Sequence, residues 1–186
     1  MKNMILFLLC MSPLTSMAIE SMPKCFGNGQ ELSVMNEAVV QYKQTVPNLK
    51  KIQVLVKATL VKELSPTVNA FGQHQHFIVS LREDLSDQSA WIEVANSMNG
   101  YIFPEARDLQ AGPFYICAEY STTNANGFPK ITKFTPSVTG AELHWTHQAN
   151  GGDIGDLAYG HPNGWIYANG KVFGRPMNRN SINQGE

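Results

Sequence analysis

The sequence is short of charge. Of its 186 residues, 14 are basic and 15 acidic, so only 16% are charged and the formal net charge is −1. A typical soluble chain has about 25% charged residues, yet the apolar fraction here is an ordinary 43%, which argues against disorder. With four arginines (Arg82, Arg107, Arg175, Arg179) there is no broad cationic field, which counts against nucleic acid as a partner. Long apolar runs are also missing. Met4 to Met11 spans eight residues, whereas a membrane helix needs about 20, so no transmembrane span is expected. Gly-x-Ser-x-Gly, phosphate-binding Gly-Lys-Ser/Thr and Gly-x-Gly-x-x-Gly motifs are absent, which removes support for a serine hydrolase of that type and for nucleotide-driven work.

What the N-terminus does have is an address. Lys2, the short apolar run and the triplet Ser16-Met17-Ala18 have the layout of a secretory signal peptide cut after Ala18. The domain plan is then a signal peptide over 1–18, a helical segment over 19–48, a β domain over 49–173 and a flexible tail over 174–186. Export to a bacterial periplasm or beyond follows. Removing 1–18 takes away one lysine, no acid and Cys10, leaving a net charge of −2 and two cysteines, Cys25 and Cys117. In an oxidising compartment such a pair reads as a disulfide, the alternative being two separate buried thiols. Neither cysteine has a Cys or His at ligand spacing, so a metal site built on them is disfavoured.

Asn28 with Glu31 resembles a helix N-cap and its partner, and Leu32, Met35, Val39, Tyr42 and Val46 follow at helical spacing up to Pro47. After Asn48 the period becomes two. Strands are expected at Ile52–Glu63, around Phe77–Leu81, at Ala90–Asn96, Phe114–Tyr120 and Ala141–Trp145, with turns at Ser65-Pro66 and Asn69–Gly72. Asn169-Gly170 is the turn signal of a closing hairpin over Trp165–Phe173. One helix and five or six short strands predict a mainly β fold: a small OB-like antiparallel barrel first, an open β-sandwich second.

The five histidines are grouped: His74-x-His76, His144-x-x-His147, and His161 in the glycine-rich loop that follows. Residues two apart on a strand share a face, so His74 and His76 point away from Phe77, Val79 and Leu81. Leu143 and Trp145 pointing inward would turn His144 outward beside Glu142, and His147 would join it only if the chain turns near Thr146. His144, His147 and His161 then make a three-nitrogen set of the kind that leaves catalytic zinc an open position. Glu142, Asp153 or Asp156 would be its fourth ligand or general base. His74 and His76 are a secondary candidate site. Trp91, Trp145 and Trp165 read as packing residues.

His74-Gln75-His76-Phe77-Ile78-Val79, Gly140 with His144-Trp145-Thr146-His147, and His161-Pro162-Asn163-Gly164-Trp165 with Asn169-Gly170-Lys171 together resemble one small family of exported bacterial proteins, a domain of unknown function. Its marks are a His-Gln-x-Phe strand, His-Trp-Thr-His, and His-x-x-Gly-Trp before an Asn-Gly hairpin. The match runs over roughly Ile52 to Phe173 and implies an OB-like barrel and export, but no activity. Two departures stand out. The loop from His147 to His161 is longer here, and Ala95 occupies the place before Asn96 where the pattern has a histidine. Two functions are therefore expected to compete. One is an exported barrel binding module with a histidine-lined surface for a peptide, glycan or envelope partner. The other is a zinc-type hydrolase, acting on phosphodiesters by fold analogy alone.

Overall fold

The computed structural model describes residues 19–45, 52–69, 72–98, 100–121, 141–144, 146–147, 164–175 and 177. The chain first makes a two-stranded hairpin, β1 (Phe26–Gly27) and β2 (Gln30–Glu31), then helix α1 (Asn36–Thr45). The expectation that Asn28 caps the helix is corrected. Asn28 and Gly29 both have positive φ, +51° and +76°, which is the backbone of a type I′ hairpin turn and not of a cap. The helix starts later, at Asn36, whose side chain accepts from Lys57 N (2.9 Å) and donates to the carbonyls of Lys57 (2.7 Å) and Leu81 (2.6 Å).

The main sheet contains β3 (Ile52–Asn69), β4 (Gly72–Ser80), β5 (Trp91–Ser97), β6 (Phe114–Ser121), β7 (Glu142–His144), β8 (Trp165–Ala168) and β9 (Lys171–Phe173). A short helix, α2 (Ala106–Gln110), lies between β5 and β6. The strand order is β3-β4-β5-β7-β6-β8-β9, and β3 also pairs with β6. Long β3 is shared: Ile52–Ala58 bonds to β6 and Thr59–Asn69 to β4.

Among the described residues the fold is a mixed, mostly β sheet with two helices, which corrects the expected OB-like antiparallel barrel with one helix. β5 and β7 run parallel, β6 has three partners, and the sheet runs out to β9, which pairs only with β8 among the named strands. Alternation reports which face a strand buries, but not which neighbour takes each edge. The expected Ser65-Pro66 turn is also corrected. β3 runs straight through it, slipping register between Leu64 and Thr67. A bulge is where a strand tolerates a proline, which has no N–H for the ladder. The closing hairpin forms as expected, with Asn169 and Gly170 at φ +49° and +71°.

One face of the sheet is apolar. Val54, Val56, Phe77, Val79, Ile92, Val94, Ile116, Tyr120, Leu143 and Ile166 form a continuous core, joined by Val39 and Val40 of α1 and Leu109 of α2. The opposite face divides in two. At one end Leu55, Trp165 and Val172 pack around the disulfide Cys25–Cys117, which has a Cα–Cα distance of 5.7 Å and ties the β1–β2 hairpin to β6. At the other end the face is polar. Among the described residues no helix is long and apolar enough to cross a membrane.

Candidate functional site

The polar end of that face gathers side chains from neighbouring strands. Strand parity turns His74 and His76 of β4, Glu93 of β5, Glu119 of β6, and Glu142 and His144 of β7 away from the apolar core. The register sets Glu142 opposite Glu93 and His144 opposite Glu119. All of these belong to strands that also line the core, so the cluster is fixed by the same ladder that builds the fold.

His76 is the best-held member. Its Nδ1 lies 2.9 Å from Glu93 Oε1 and its Nε2 lies 2.8 Å from Thr67 Oγ1. Glu93 is only 1% exposed. A buried carboxylate only accepts, so Nδ1 carries the hydrogen when the ring is neutral. Nε2 is then an acceptor, and the Thr67 hydroxyl donates to it. The chain Glu93–His76–Thr67 thus crosses β5, β4 and β3 with defined donors and acceptors.

His74 stands beside it. Its ring centroid is 6.3 Å from that of His76 and 6.0 Å from that of His144. Its Nδ1–H donates to Gly72 O at 3.3 Å. Burial, the largest influence, holds the His74 imidazole below its ordinary value of 6.5, and the neighbouring His76 pushes the same way; the Gly72 carbonyl and Glu142 pull it back up. His144 Nδ1 lies 3.7 Å from Glu142 Oε1, an ion-pair distance longer than a hydrogen bond.

The structure thus merges two expected sites and splits one. His74 and His144 meet, although they belonged to separate expectations. His147 goes elsewhere: its ring packs on Tyr101, with centroids 4.2 Å apart. The Thr146 hydroxyl donates to Asn96 Oδ1 at 2.7 Å, and His147 O accepts from Gly164 N at 2.8 Å. His161, Asp153, Asp156 and Trp145 lie outside the described residues, as does the segment 1–18 expected to be a signal peptide.

Among the described residues, no group of three or more His, Cys, Asp or Glu side chains is arranged to hold a metal ion. The metal-dependent hydrolase reading is corrected on that finding. The barrel module with a histidine-lined surface is corrected as well: the sheet mixes parallel and antiparallel pairs and continues through β8 and β9, and His74 and His147 are buried. Trp165 is core as expected, and its Nε1–H donates to Lys24 O at 3.3 Å.

Sequence reasoning missed Thr67, Glu93 and Glu119. A signal existed for the acids: each interrupts an apolar strand at the parity of the histidines, as Ile92-Glu93-Val94 and Ala118-Glu119-Tyr120 show. Ala95, where the resemblance leads one to look for a histidine, is the register partner of His76. No protein-family model, curated protein or solved structure matches this chain significantly.

Proposed function

We propose that the chain is an exported, disulfide-tied β domain that responds to acid through its imidazole–carboxylate face. The observation that carries this reading is the gathering of His74, His76 and His144 with Glu93, Glu119 and Glu142 on one sheet face, apart from both apolar clusters. Buried titratable groups cost stability that an apolar face would not. Their concentration in one place favours a working site over packing, and imidazole changes charge between about pH 5 and 8. Export is supported by the N-terminal pattern and by the disulfide, since such bonds persist in oxidising compartments.

The groups facing His74 set the direction. His76 lies on its own strand, His144 and Glu142 lie on β7, and Ser97 of β5 and Thr67 of β3 are its register partners. Burial and the neighbouring His76 disfavour a proton on His74, while the Gly72 carbonyl and Glu142 favour one. The folded value of His74 is depressed, so the unfolded chain binds that proton more readily. Stability is therefore full above the ordinary value of 6.5 and is lost as pH falls through the folded value. Urea midpoints measured from pH 8 to pH 5 should fall with acid, and His74→Gln should flatten the fall. Identical pH slopes for the two proteins would refute the reading.

A further inference from the structure

Beyond an acid response, the same face holds an arrangement that activates a hydroxyl. We infer that Thr67 is the nucleophile of a metal-independent acyl-transfer site, with His76 as its general base and Glu93 as the residue that positions His76. Three observations converge. The hydroxyl–imidazole–carboxylate distances are 2.8 and 2.9 Å, within the reach a nucleophile, base and orienting acid require. The hydrogen bond from Nδ1–H to the buried Glu93 carboxylate holds the ring so that Nε2, the atom facing Thr67, is the acceptor. Thr67 is also one of the residues, Lys62 to Val68, that line an open groove of about 470 Å³ along β3.

The bulge explains how Thr67 comes to be there. Leu64 pairs with His76, and an unbroken antiparallel ladder would then set Pro66 across from His74. One extra residue in β3 sets Thr67 across from His74 instead. Cross-strand partners share a face, so the slip at Ser65-Pro66 moves the hydroxyl onto the histidine side. Bulges re-aim side chains in this way beside working sites.

The step balances without a cofactor. Thr67 Oγ1 attacks the acyl carbon of a small ester while its proton passes to His76 Nε2. The ester C–O bond breaks, and the leaving alkoxide takes that proton to depart as an alcohol. Water then attacks the Thr67 ester, gives a proton to His76, and the Thr67 oxygen recovers it as the acid is released.

The full folded chain, incubated with p-nitrophenyl acetate, tests this. The expected result is one acetyl group per chain, mapped by peptide mass analysis to Thr67. It should be absent from Thr67→Val, which keeps the side-chain shape, and retained in Thr67→Ser. His76→Gln should slow labelling about 100-fold or more, the usual range for loss of a general base. Glu93→Gln should slow it with a changed pH profile, and Glu93→Asp should restore part of the rate. Melting curves identify the variants that remain folded, and only those are compared. Folded wild-type protein that takes no acetyl group on Thr67, or folded Thr67→Val labelled as fast as wild type, overturns the inference.

Discussion

Replacing Glu93 with leucine puts the buried relay under its most direct mechanical strain. The carboxylate is 1% exposed and accepts from His76 at 2.9 Å. Its loss leaves the Nδ1–H of a largely buried ring without that acceptor. A stranded buried donor costs about 1–3 kcal/mol, and in a chain of this size each kcal/mol moves the melting temperature by about 2–4 °C. Glu93→Leu should therefore lower the melting temperature by several degrees. His76→Leu should do likewise, while the hydroxyl it abandons belongs to half-buried Thr67, within reach of water. The double variant removes donor and acceptor together, and such paired replacements approach neutrality. The cycle should then show a coupling near the sum of the two single losses, about 2–6 kcal/mol, by urea unfolding with the disulfide intact. Effects that add to within about 0.5 kcal/mol, the usual figure for independent sites, would refute the reasoning.

Two further outcomes follow from the frame around the site. Cys25 and Cys117 are 92 residues apart, so the chain-entropy account gives about 4.6 kcal/mol lost in the Cys25→Ser/Cys117→Ser protein, measurable by urea unfolding. A loss below about 1 kcal/mol would contradict that account. Gly174 has φ +91°, and an added Cβ would come within 2.3 Å of Thr146 O and 2.8 Å of His147 Cα. Gly174→Ala should therefore cost about 2–4 kcal/mol from overpacking and backbone strain, whereas Gly29→Ala, with nothing near its Cβ, should cost about 1–2 from backbone alone.

Local chemistry was readable where it depends on neighbours in the chain. Asn169-Gly170 specified its hairpin, and the His74/His76 parity followed from period two. The same dipeptide at Asn28-Gly29 misled, because Glu31 and the spacing of Leu32, Met35 and Val39 imitate a capped helix. The positive φ that decides between cap and turn is a backbone property that residue names only suggest. Thr67 was hidden for a different reason. Parity counting from Leu64 fails across a bulge, and nothing in Ser65-Pro66 tells a turn from a strand that continues. The partnership of His74 with His144 rests on a parallel contact between β5 and β7, set by distant parts of the chain, so spacing within either motif carries no trace of it.

The tautomer of His76 tests the central claim most directly. Nitrogen NMR of the imidazole, recorded at a pH where the ring is neutral, should find the hydrogen on Nδ1, slow to exchange and lost from that position in Glu93→Leu. A ring protonated on Nε2, or one exchanging its hydrogen as freely as a surface histidine, would contradict a relay from Glu93 through His76 to Thr67.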